Sequence, residues 1–101
     1  MPKLYEYFGL AVFFFTNEHD PIHVHGWYQG CRAKAEIFLK NGKVLKILFM
    51  NGDGKRPLPP AQMKNFRTLV QAKADDIVRR WVEYFVFQKN ERTEKITRKL
   101  K

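Results

Sequence analysis

The chain has 101 residues, which is enough for one domain with one hydrophobic core and too few for two. Nine Phe, four Tyr and two Trp can fill that core without covalent help, and the single cysteine excludes an internal disulfide. A net charge of +9, from 19 Lys and Arg against 10 Asp and Glu, makes polyanions the first partners to consider. We expect a cytoplasmic protein without membrane association, because no signal peptide is evident and the longest apolar run, Leu10–Phe15, cannot cross a bilayer.

The first half of the chain predicts β-strands. Leu10–Thr16 is a continuous apolar run, as in a central strand, and Tyr5–Phe8 is a candidate extension of it. The next segments alternate or are rich in strand formers, and Asn41-Gly42 between two of them is a strong hairpin signal. The predicted strands after the first are Ile22–Tyr28, Cys31–Leu39 and Lys43–Met50.

The turn at Gln29-Gly30 allows two registers. A two-residue turn pairs small or apolar residues on one face and leaves the polar residues together on the other. The polar face then pairs Trp27 with Arg32, His25 with Lys34, and His23 with Glu36. A longer turn, with Gly30 as a bulge, would place His25 opposite Ala33 and mix the faces. We favour the first register because it keeps the faces consistent in polarity.

Apolar residues from Met63 to Phe85 recur at steps of three and four, which predicts amphipathic helix packed on the sheet. Lys73–Asp76 could break this run, with Asp75 or Asp76 capping a second helix. The sequence therefore predicts either one long bent helix or two helices.

The predicted fold class is α+β: an antiparallel meander of about four strands, followed by the C-terminal helical part packed on one face. Residues 1–87 form the predicted domain. Residues 88–101, here called the C-terminal tail, carry six bases and two acids, which predicts a frayed helical extension or disorder.

All three histidines lie within seven residues, from His19 to His25. The strand repeat puts His23 and His25 on one face, about 7 Å apart at Cα. With His19 from its loop and Glu36 from the next strand they could hold zinc or another divalent transition metal and leave a position for water. The alternatives are histidines that only support the loop, and metal-free acid-base or phosphate contacts. No catalytic residue is assigned.

Aromatic and basic residues also suggest contact with nucleic acid or a partner protein, because rings stack on bases and cations meet phosphates. The competing reading is that Trp27 stacks on Arg32 to protect an exposed sheet face and that the tail is only solvated. The candidate residues are Trp27, Arg32 and Lys34 on the sheet and Lys64, Arg67, Arg79 and Arg80 on the helical part.

The segment Phe13–His25, with the sequence FFFTNEHDPIHVH, is followed by Ala33–Glu36 (AKAE) and by Trp81–Phe85 (WVEYF). These segments resemble a small prokaryotic family, Domain of Unknown Function 4160, across residues 5–87. Its hallmark is an aromatic strand, then Ser-Asn-Asp-His-Asn-Pro-Pro-His, an aromatic residue or Val, and His. Asp20 stands here in place of Asn and Ile22 in place of the second Pro. The resemblance implies a compact α+β domain, with genes often suspected of belonging to toxin-antitoxin-like or mobile modules, and no established activity.

Three functions follow from these observations. We expect a basic binding module, of a toxin-antitoxin-like or regulatory gene pair, that contacts nucleic acid or a partner protein. The second hypothesis is a small metal-dependent hydrolase or nuclease that uses the histidine cluster. The third is a self-associating structural or interaction protein, with an exposed aromatic sheet edge. Binding is favoured over catalysis because no complete catalytic motif is present.

Overall fold

The computed structural model describes residues 2–14, 22–52, 54 and 56–100. Within these residues the chain forms one mixed sheet and two helices. The strands are β1 (Lys3–Tyr7), β2 (Leu10–Phe13), β3 (Ile22–Tyr28), β4 (Cys31–Lys40), β5 (Lys43–Asn51) and β6 (Glu94–Ile96), and the helices are α1 (Pro60–Ala72) and α2 (Ala74–Phe85).

The six strands lie in the order β5-β4-β3-β2-β1-β6. The first five form an antiparallel meander, and β6 pairs with β1 in parallel. The α+β class is therefore confirmed, whereas the expectation of about four strands was too low. Tyr5–Phe8 is not an extension of β2, because the chain reverses at Phe8-Gly9 and makes β1 a separate strand.

Three two-residue turns join the strands of the three hairpins within the described chain. Both residues of each turn have positive φ, as at Phe8 (49°) and Gly9 (85°). This is the type I′ geometry, which matches the right-handed twist of the flanking strands. The same geometry at Gln29-Gly30 produces the predicted register, with Trp27 opposite Arg32 and the histidine strand paired as expected. The predicted hairpin at Asn41-Gly42 is also confirmed.

The helical part is two helices that break at Lys73. Pro60 suits the first turn of α1 because proline needs no backbone partner there. The amide of Lys73 still bonds to the carbonyl of Leu69 at 2.9 Å, and its ψ of 15° ends the regular helix. Asp75 and Asp76 lie in the first turn of α2, where negative charge is favourable, but neither caps the helix as the sequence suggested.

The core lies between the helices and one face of the sheet. Its largest fully buried side chains come from both layers. Gly26 of β3 allows close approach of α1, because a Cβ added there would lie 2.7 Å from the ring of Phe66. The helices therefore cover the face of the sheet that includes Gly26. The core includes Tyr5, Tyr7, Leu10, Val12, Val24, Ile37, Phe66, Leu69, Val70 and Ile77.

The C-terminal tail is ordered against the sheet within the described residues, contrary to the expectation of a frayed helix or disorder. Its residues Glu94–Ile96 form β6. The guanidinium of Arg80 anchors it, with Nε donating to the Glu91 carboxylate at 2.7 Å and a second nitrogen donating to the Arg92 carbonyl. The Leu100 amide also donates to the Tyr7 hydroxyl at 2.9 Å. Long-range polar contacts thus hold a segment that has few apolar residues.

Candidate functional site

The sheet has a second face, here called the open face, which lies opposite the helices. Because successive side chains of a strand point to opposite faces, the residues before and after each buried residue lie on this face. Strand register arranges these residues in rows that run across the sheet from neighbour to neighbour. One row reads Arg32, Trp27, Ala11, Glu6, Lys95, and the adjacent row reads Lys34, His25, Phe13, Lys3.

Trp27 is the most exposed aromatic side chain of these two rows, at 39%. The Arg32 guanidinium carbon lies 5.1 Å from the centroid of its ring, within cation-π range. The ring of Phe13, which is buried, lies 6.1 Å from that of Trp27 between centroids. Neighbours on both sides therefore hold the indole in place while it stays accessible to a ligand.

His25 lies in the second row, between Lys34 and Phe13, and is buried, at 7% exposure. Burial is the main cause that lowers its pKa to about 3, and the positive charges of His23, Arg32 and Lys34 act in the same direction. His25 is thus neutral at physiological pH. Arg32 and Lys34 place positive charge close to this ring, which favours anionic ligands there.

The proposed metal ligands are only partly brought together. The rings of His23 and His25 lie 5.4 Å apart between centroids, and Glu36 is opposite His23 in the neighbouring strand. Glu36 also pairs with Lys34 at 3.7 Å. His19 lies outside the described residues. Among the residues that are described, no group of three or more His, Cys, Asp or Glu side chains is placed to hold a metal, so the zinc hypothesis stays a prediction.

The basic contact residues predicted on the helical part do not lie on the open face. Lys64 and Arg67 are exposed on α1, in the layer on the other side of the sheet. The guanidinium of Arg79 is exposed on α2 and pairs with the carboxylates of Asp76 and, at 2.8 Å, Glu83. These three residues therefore lie in a different layer from the candidate contact residues of the sheet.

Arg80 is the one predicted contact residue that the structure places in the interior. It is 5% exposed, its Nε pairs with Glu91 at 2.7 Å, and a terminal nitrogen donates to the Leu4 carbonyl at 3.0 Å. Burying a charged group is costly unless it is paired and hydrogen-bonded, and these partners meet that need of the guanidinium. Its role is therefore to hold the C-terminal tail, and we leave it out of the candidate interface.

Strands β1 and β6 add residues to the open face that the sequence patterns did not indicate. Lys3 and Glu6 come from β1 and pair at 2.7 Å, and Lys95 comes from β6 opposite Glu6. Ala11 lies between Trp27 and Glu6. Simple alternation would put Lys3 and Glu6 on opposite faces, and the irregularity in register between Lys3 and Tyr5 brings them to the same one. No local pattern indicates that Lys95 joins the sheet.

A family model matches residues 9–82, and its description is a domain of unknown function, DUF4160. The chain belongs to the DUF4160 family. The match begins at the turn after β1 and ends within α2, so strands β1 and β6 of this DUF4160 protein lie outside it. No curated protein and no solved structure matches the chain. Among the described residues of this DUF4160 protein, neither helix is long and apolar enough to cross a membrane.

Proposed function

We propose that this DUF4160 protein binds single-stranded nucleic acid on the open face of its sheet. The observation that carries the proposal is the arrangement around Trp27: an accessible indole flanked by Arg32 and Phe13 in a row of cross-strand neighbours. Aromatic side chains on a sheet can stack with unpaired nucleobases, and nearby Lys and Arg side chains can contact the phosphates.

Charge supports the same assignment. Basic side chains line both ends of the two rows, with Arg32 and Lys34 from β4 at one end and Lys3 and Lys95 at the other. A single strand of nucleic acid that crosses the sheet would therefore meet basic side chains before and after the Trp27 indole. A sheet face with an accessible ring suits unpaired bases better than duplex, whose bases are already stacked on each other.

Fluorescence anisotropy with labelled 12-nucleotide RNA, single-stranded DNA and duplex DNA tests the proposal. We expect the single strands to bind more tightly than duplex at equal ionic strength. Trp27→Ala should weaken binding by about tenfold, since stacking contributes roughly 1–3 kcal/mol per base. Affinity should fall as salt rises, because bound phosphates release counterions.

A matched pair of lysine variants identifies the face. Lys34→Ala removes one positive charge from the open face, and Lys64→Ala removes one from α1, so the two proteins have the same net charge. We expect a several-fold loss of affinity for Lys34→Ala and little change for Lys64→Ala. Equal losses in both, with no effect of Trp27→Ala, would mean that only the overall +9 charge attracts nucleic acid and would contradict the proposal.

A further inference from the structure

The open face contains a recess beside Trp27. Its volume is about 390 Å³, which is within the range of small-ligand pockets. It exists because two small residues, Gly9 and Ala11, are surrounded by larger ones. The lining residues are Lys3, Gly9, Ala11, Phe13, Trp27 and Gln29.

The width of the recess follows from the strand register. Trp27, Ala11 and Glu6 are direct neighbours on three adjacent strands, with Ala11 in the middle. Adjacent strands are about 4.8 Å apart, so the backbones on either side of Ala11 are separated by about 10 Å. A planar ring system can lie over Ala11 in this space, beside the indole on one side and the Lys3–Glu6 ion pair on the other.

A second cavity continues the recess toward the edge of the sheet. It has a volume of about 480 Å³ and shares Lys3, Gly9 and Ala11 with the first. Its far side is formed by Lys95 and Thr97, a cation and a hydroxyl from the C-terminal tail. The two cavities together therefore offer an aromatic end and a polar, basic end.

We infer that the recess over Ala11 is a nucleobase subsite, with the attached sugar and phosphate directed into the second cavity toward Lys95. The inference deepens the proposed function and rests on it. The base stacks against Trp27, and the small side chain of Ala11 leaves the room that it needs. The Lys95 ammonium and the Thr97 hydroxyl can donate to phosphate oxygens, and the Glu6 carboxylate can accept from a donor on the base edge or sugar.

Ala11→Leu is the direct test, because a larger side chain fills the recess while leaving every charge in place. The measurement uses nucleoside 5′-monophosphates and inorganic phosphate in the Trp81→Phe background, where Trp27 is the only tryptophan and reports by fluorescence quenching. We expect saturable quenching by the monophosphates, none by inorganic phosphate, and at least tenfold weaker monophosphate binding in Ala11→Leu. Circular dichroism and thermal unfolding establish that the variant folds.

A second pair of variants keeps the inference testable if Ala11→Leu does not fold. Lys95→Ala removes a cation from the second cavity, whereas Lys89→Ala removes one from an exposed part of the same tail. We expect Lys95→Ala alone to weaken monophosphate binding, by about threefold or more. Equal effects of the two variants would overturn the assignment of the second cavity.

The two proposals fail in different ways. If the 12-nucleotide single strands bind in a Trp27-dependent manner but folded Ala11→Leu binds monophosphates like the parent, the subsite is wrong and the proposed function stands. If inorganic phosphate competes as well as a monophosphate, the site is a simple anion site and the inference is overturned. If the unmodified protein binds no single strand at all, the proposed function is wrong and the subsite with it.

Discussion

Acidification should destabilise this protein through His25. The imidazole is buried and its pKa is lowered from 6.5 to about 3, so the native state holds it neutral while the unfolded chain can protonate it. The unfolded state therefore binds more protons below pH 6.5, and stability falls as the pH drops from there toward 3. Linkage gives a loss of about 2 kcal/mol at pH 5 and about 3 kcal/mol at pH 4 relative to neutral pH.

Urea unfolding at pH 7.5, 6 and 5, followed by tryptophan fluorescence, measures this loss. A decrease of about 2 kcal/mol should lower the urea midpoint by roughly 1–2 M for a chain of this size. His25→Gln removes the titrating ring and should flatten the dependence between pH 7.5 and 5. His23→Gln makes the same chemical change at a half-buried neighbour and should keep most of the dependence. Carboxylates titrate mainly below this window, so they affect the parent and both variants alike.

Parallel stability curves for the parent and His25→Gln across this pH range would contradict the prediction. Such a result would mean that His25 accepts a proton in the folded state without cost. If His23→Gln instead abolished a steep pH dependence of stability, then His23 and not His25 would be the group responsible.

Three substitutions and a truncation test the packing. Gly26→Ala should destabilise the fold by about 1–3 kcal/mol, seen as a lower thermal midpoint, because the added Cβ would lie 2.7 Å from Phe66; an unchanged midpoint would contradict the close approach. Arg80→Ala should cost about 3–5 kcal/mol in urea unfolding by leaving Glu91 buried and unpaired, whereas Arg79→Ala, whose ion pairs are exposed, should cost less than about 1 kcal/mol. Similar losses for these two would contradict the assignment of the buried pair. Deletion of the C-terminal tail should destabilise the domain about as much as Arg80→Ala, and an unaffected domain would support a boundary at residue 87.

Local signals predicted the centre of the sheet well. The register of β3 against β4 follows from a two-residue turn and from polarity that alternates with period two, both of which can be read within 16 residues. The hairpin at Asn41-Gly42 was equally clear, since Asn and Gly tolerate positive φ. The turn at Phe8-Gly9 was missed because a bulky residue rarely adopts a φ of 49°, so local propensity argued against it.

Periodicity and turn chemistry between near neighbours are enough to predict the α+β class, the antiparallel meander, the helical segment and the shared face of His23, His25 and Trp27. The return of the C-terminal tail to pair with β1, some ninety residues away in sequence, is apparent only in the folded chain. It is supported by contacts that no local pattern encodes, such as the Leu100 amide donating to the Tyr7 hydroxyl 93 residues away in sequence. The same pairing brings Lys95 to the cavity that adjoins the recess beside Trp27, so the full candidate site depends on the position of β6 in the sheet.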